Sequence, residues 1–149
     1  MIEVDCVIAL RVPETPQGVA ILKALKKLHA TKPDAAGLAE LKALPGAAGA
    51  AFAKAFGELP VQAFRLYDFV ARGPQAAFSL VLGIEELDTT FTRLMLAFDA
   101  AGCRRIEATA KADDIARHYT CGAGKVEWST ERGDEGISDD PDDGPSDDD

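Results

Sequence analysis

Between Ile2 and Val12 the apolar residues fall on every second position: Ile2, Val4, Cys6, Ile8, Leu10 and Val12 are even, while Glu3, Asp5 and Arg11 are odd. Side chains of an extended chain point alternately to opposite faces, so this spacing predicts a strand with one buried and one solvated face. Cys6 lies among the buried positions and reads as a small hydrophobe, because a nucleophile or metal ligand would need polar neighbours that the even face lacks.

The same alternation returns at Phe78, Leu80, Leu82 and Ile84, with Ser79 and Gly83 between. The preceding run, Val61 to Ala71, is β-branched and aromatic, but Arg65 and Asp68 sit on opposite sides of it. It is read as an edge strand, or as one covered on both faces. Arg72-Gly73-Pro74-Gln75 joins the two runs with the strongest turn residues side by side, which predicts a central hairpin.

Helical periodicity fills the gaps. Thr15-Pro16 suggests a cap followed by proline in the first turn, and Ile21, Leu22, Leu25 and Leu28 form an apolar stripe opposite Lys23, Lys26 and Lys27. Those lysines are read as a solvated face and His29 as a structural end to the helix. Residues 34–57 are rich in alanine and glycine, with Leu38, Leu41 and Leu44 before Pro45-Gly46 and Phe52 and Phe56 after it. Two short helices joined at that break are expected. Phe91, Leu94, Met95 and Phe98 predict another core helix, capped near Asp88-Thr89-Thr90 and ending at Gly102. Ile106, Ala108 and Ala110 predict a short strand, Asp113 to His118 a helical turn or two, and Lys125 to Thr130 a last edge strand.

The fold class expected from this order is α+β, a ferredoxin-like split βαβ sheet (β-α-[αα insert]-β-β-α-β) with a short C-terminal extension and a disordered acidic tail. Residues 1–130 form the single domain expected of a chain of 149 residues.

Charge divides the chain more sharply than hydropathy does. The net charge is −9, and residues 131–149 hold ten acids against Arg132 alone. Residues 1–130 hold the remaining fifteen acids and fifteen bases and are neutral. A segment with so little apolar content cannot offset the entropy of ordering, so 131–149 is expected to be disordered. It can act as a solubility tail or as an electrostatic lure for a basic protein. The partner-binding residues expected from it are Asp134, Glu135, Asp139, Asp140, Asp142, Asp143, Asp147, Asp148 and Asp149.

Other chemistry finds little support in the spacing of residues. Cys103, His118 and Cys121 match no zinc ribbon or finger. Gly122-Ala123-Gly124-Lys125 lacks the first glycine and the Ser or Thr of a phosphate-binding P-loop, and is read as a turn. No G-x-S-x-G elbow or EF-hand calcium loop is present. Glu85-Glu86 and Asp113-Asp114 are adjacent carboxylates whose side chains diverge. No catalytic residue, metal or cofactor is expected. The three cysteines are odd in number and widely spaced, which argues for free thiols. The acidic residues at the N-terminus are unlike a secretory signal, and no apolar run reaches about 18 residues, so a cytoplasmic protein without membrane contact is expected.

The expected function is that of a non-enzymatic binding or inhibitor protein for a partner with a basic surface. An immunity protein that neutralises a toxin, or an inhibitor of a nucleic-acid enzyme, would fit, with no direct nucleic-acid binding and with a homodimer allowed. In its neutral body and acidic C-terminal end the chain resembles acidic bacterial inhibitors that regulate ribonucleases, a likeness of architecture that rests on no shared motif. The alternative is a small-ligand-binding protein or enzyme of ferredoxin-like type, with a pocket between the sheet and the 34–57 insert and Arg65, Tyr67, His118 and Tyr119 as its polar groups.

Overall fold

The structure is a computed structural model that describes residues 2–29, 31–57, 59–113, 115–130 and 135–138. Its centre is β1 (Glu3–Arg11), whose even residues are buried and whose odd residues face solvent. Helices α1 (Pro16–Leu28), α2 (Ala35–Lys42) and α3 (Ala47–Phe56) follow, then a 3-10 turn at Val61–Phe64 and the hairpin of β2 (Tyr67–Arg72) and β3 (Gln75–Gly83). Helix α4 (Thr92–Ala100) leads into β4 (Arg104–Ala112), β5 (Ile115–Gly122), β6 (Lys125–Thr130) and β7 (Glu135–Ser138). All seven strands form one antiparallel sheet in the order β2-β3-β1-β4-β5-β6-β7.

The helices all lie on the face that carries Val4, Cys6, Ile8 and Leu10, together with Phe78, Leu80 and Leu82 of β3 and Ile106, Ala108 and Ala110 of β4. Helix α1 supplies Ile21, Leu25 and Leu28, and α4 supplies Leu94, Met95 and Phe98. The alanine-rich insert does more than cover an edge. Its Phe52 meets Phe98 edge-on at 5.1 Å between ring centroids, and Phe56 meets Phe64 at 4.9 Å, geometries that the ring quadrupoles favour. Asp34 caps α2 by accepting a bond from the Ala36 N–H at 2.9 Å, and Lys27 of α1 pairs with Glu40 of α2. Close approach fixes the start of α1: a Cβ on Gly18 would lie 1.8 Å from the Pro13 carbonyl oxygen.

Several expected boundaries move, each for a physical reason. Val61–Phe64 is a 3-10 turn rather than strand, because Phe64 and Leu66 both turn into the core. Strand β2 then carries one extra residue between Tyr67 and Val70, with Asp68 at φ +51°. This bulge is why the two faces of that run could not be separated by alternation. The turn between β2 and β3 is two residues long, with Gly73 at φ +59°, the backbone that the first central position of a type II′ hairpin requires. Ahead of α4 the chain does not start at a cap near Asp88. A 3-10 turn at Ile84–Glu86, opened by Glu86 Oε1 accepting from the Gly83 N–H at 2.8 Å, widens into a π-helical turn at Leu87–Phe91.

The largest departure lies after β4. Residues expected to make a helical turn around Asp113–His118 instead enter β5, and β6, expected at the edge, is covered by β7. The sheet is therefore a seven-stranded one in a mixed α+β fold, and β5 to β7 form a meander along one side. Four residues of the segment expected to be a disordered tail, Glu135–Ser138, form β7. Residues 131–134 and 139–149 lie outside the described residues. No helix among the described residues is long and apolar enough to cross a membrane.

Candidate functional site

Every helix among the described residues packs on one side, so no described element covers the odd face of β1, and the register can be read across it in rows. One row runs Tyr67, Ser79, Val7, Thr109, His118, Ser129, Glu135 from β2 to β7. The next runs Val70, Ala77, Ala9, Glu107, Thr120, Glu127, Ile137. Val70, Val7, Tyr67 and Ile137 are exposed apolar side chains on this face, Ile137 at 66%.

The face is polarised along the rows. Over β5 to β7 a shallow depression of about 670 Å³ is lined by His118, Thr120, Glu127, Trp128, Ser129, Glu135, Gly136 and Ile137. Its charged groups are Glu127 and Glu135, on adjacent strands in neighbouring rows. Over β2, β3, β1 and the start of β4 a second depression, of about 410 Å³, is bordered by Arg11, Arg72 and Arg105 above Ala9, Ala77 and Val70.

Beneath the acidic end, a polar cluster on the helix side fastens the meander to the body. Arg117 Nη1 donates to Asp88 Oδ1 at 3.1 Å and to the Tyr119 hydroxyl at 3.3 Å, and its guanidinium lies 4.1 Å from the Trp128 ring centroid. Partial burial opposes the Arg117 charge, but the Tyr119 and Asp88 oxygens outweigh it and hold its pKa above the ordinary value. Burial pushes the Tyr119 hydroxyl up, with Arg117 acting against that rise. Tyr119 is 2% exposed and packs edge-on to Phe91 at 5.2 Å. Trp128 is thus packed against the body, and β7 makes room for it: a Cβ on Gly136 would lie 2.3 Å from the indole Cε2.

The four residues expected around a pocket between sheet and insert are not brought together. Arg65 lies over the Tyr67 ring at 4.9 Å near the β2 edge, Tyr119 is buried in the core, and His118 is exposed on the far face of the sheet. The space between sheet and insert is a gap of about 10 Å³ lined by apolar side chains such as Leu41, Phe56 and Phe78, because the insert's phenylalanines fill it. His118 and Cys121 are three residues apart in one strand and so point to opposite faces. No group of three metal-ligating side chains occurs among the described residues. Burial pushes the Cys6, Cys103 and Cys121 thiols up to about 12, with nearby carboxylates adding to the rise, which makes them poor nucleophiles. Gly122–Lys125 is the β5–β6 turn, with Ala123 at φ +53° and Gly124 at φ +77°, as a type I′ hairpin needs. The Gly124 N–H donates to Asp99 Oδ2 at 2.9 Å.

Of the acidic residues expected to bind a partner, only Glu135 is among the described residues. It is exposed on the uncovered face; Asp134, Asp139, Asp140, Asp142, Asp143, Asp147, Asp148 and Asp149 lie outside them. Sequence reasoning missed Glu127, Ile137 and the arginine-bordered depression. The available signal was the odd phase of β1, whose Val7 and Ala9 leave a smooth strip between Asp5 and Arg11. Comparison of the chain with family models, with curated proteins and with solved structures gives no significant match.

Proposed function

We propose that the protein is a non-enzymatic cytoplasmic binding protein, an inhibitor or immunity protein, that engages a partner with a basic surface through the β5–β7 end of its uncovered face. In this reading the strand order β2-β3-β1-β4 is a ferredoxin-like split βαβ unit, and the meander is the addition that carries recognition. One observation bears most of the weight: Glu127, Glu135 and the exposed Ile137 share one depression, and the acidic run from Asp139 follows directly in sequence. An apolar anchor beside carboxylates is suited to a protein surface, while the acidic run would hasten encounter with a basic partner and lose force as salt rises.

The test is retention of basic proteins from the native host on immobilised full-length chain at 50 and 300 mM salt, beside Glu127→Lys/Glu135→Lys and a chain ended after Ser138. One basic partner, captured by the full chain and lost in both variants, is the expected result. Capture unchanged by either variant at low salt would sink the proposal.

A further inference from the structure

The opposite end of the same face carries chemistry that a basic partner would not use. Arg11, Arg72 and Arg105 border a depression of about 410 Å³, within the size range of small-ligand sites. Ala9, Ala77 and Val70 line it as well, so apolar side chains lie among the cations.

Backbone geometry concentrates the cations there. Pairing between β1 and β4 follows regular register from Asp5 opposite Lys111 to Ala9 opposite Glu107, then slips by one residue so that Arg11 faces Arg104. The extra residue is Arg105, at φ +53°, a left-handed backbone that an L residue with a Cβ adopts at a penalty of about 1 kcal/mol. Without the bulge, Arg104 would share the buried face of Ile106 and Ala108. With it, Arg104 and Arg105 are both exposed. Register also sets Arg11 directly across from Arg104, and like charges so placed repel. Among the described residues compensation is slight. Arg11 reaches Glu14 at 3.4 Å, with side chains 38% and 75% exposed, a pairing worth little in water. Arg72 and Arg105 make no ion pair among the described residues.

We infer that this end of the face binds a phosphorylated small molecule, its phosphoryl oxygens held by Arg11, Arg72 and Arg105 and its flat or apolar part lying on Ala9, Ala77 and Val70. Guanidinium groups hold phosphoryl oxygens in paired, charge-assisted hydrogen bonds. Three of them around one depression give a site for a group of two or more negative charges. The site is independent of the acidic end.

Calorimetric titration of the full chain with inorganic tripolyphosphate and with a nucleoside triphosphate, at matched ionic strength against sodium chloride, tests it. Both are expected to bind, the nucleotide more tightly, and the amide resonances of Ala9, Val70 and Ala77 are expected to shift. Arg72→Gln on the hairpin and Arg105→Gln in the bulge should each weaken binding about tenfold, the loss of one charge-assisted hydrogen bond. Because Arg72 precedes an exposed turn, its variant keeps the test valid if Arg105→Gln disturbs the strand. Glu127→Lys/Glu135→Lys should leave phosphate binding unchanged, so this inference and the proposed function can fail separately. Binding equal in the arginine variants, heat reproduced by chloride alone, or binding of a short single-stranded oligonucleotide without either small phosphate would overturn it.

Discussion

Cys6 and Ile8 are wholly buried, and Val7 between them is 40% exposed. That contrast repeats across the molecule, since the same strands carry a dry helix-covered face and a wet uncovered one. On the covered face shape rules, because Phe52, Phe78 and Phe98 interlock and a missing ring leaves a void. On the uncovered face charge varies instead, with Arg11, Arg72 and Arg105 around the depression near β2 and Glu127 and Glu135 in the one near β7. The lesson is that burial, and with it the stability of the sheet, comes from one side of this protein, while the residues on the other are free of that packing constraint.

The comparison breaks most visibly by truncation on each face. Phe98→Ala removes a ring that contacts Phe52 and Phe78 at centroid distances of 5.1 and 5.9 Å, and should destabilise the protein by about 3–5 kcal/mol. Val7→Thr, one face away, should change stability by no more than about 0.5 kcal/mol. Urea unfolding followed by circular dichroism gives both numbers, and comparable losses would mean that the odd face is covered in solution.

High pH bears on the covered face, where burial raises the thiols. The Cys6 thiol is raised from 9.0 to about 12. An acid whose folded pKa is raised keeps its full stabilising contribution below the unfolded value and loses it as pH climbs toward the folded one. Unfolding free energy should therefore fall from pH 9 toward 12, and Cys6→Ala should flatten that fall by about 1.4 kcal/mol per pH unit. A variant whose pH dependence matches that of the parent would show that Cys6 ionises freely. In the native protein all three thiols should react slowly with a disulfide reagent at pH 8.

A smaller perturbation tests where the two faces meet. The indole of Trp128 lies against Gly136, and Gly136→Ala should displace it at about 1–3 kcal/mol. As Trp128 is the sole tryptophan, its fluorescence should shift to the red while the chain remains folded. An unmoved spectrum would separate β7 from Trp128 and remove the acidic depression as described.

The same contrast explains what was legible in the sequence. β1, β3, α1 and α4 could be read because their inward positions are apolar and evenly spaced. The break at Pro45-Gly46 was readable because the intrinsic preferences of those residues end a helix. β5 was not, since its inward residues include Arg117, whose partners Asp88 and Trp128 come from other elements. β7 was hidden by acidic composition, and its glycine makes sense only once Trp128 occupies the space above it. The two bulges, at Asp68 and Arg105, have no compositional mark, because neither position is the glycine that a positive φ favours. The uncovered face was therefore legible as polar but not as polarised: which charges share an end depends on register, and a slip of one residue reverses a side chain's face.

That slip gives the finest test. At Arg105 the backbone is left-handed, so glycine there removes a steric penalty while adding chain entropy to the unfolded state, and the two nearly cancel. Arg105→Gly should leave stability unchanged or raise it by less than about 1 kcal/mol, and should still weaken tripolyphosphate binding about tenfold. Such a variant, no less stable and poorer at binding, would show that the strained arginine is kept for its side chain, as expected where function and local preference conflict. If Arg105→Gly instead lowers stability by well over 1 kcal/mol with binding intact, the guanidinium is part of the scaffold, and the division between a face that folds and a face that recognises fails at the position where it was drawn most finely.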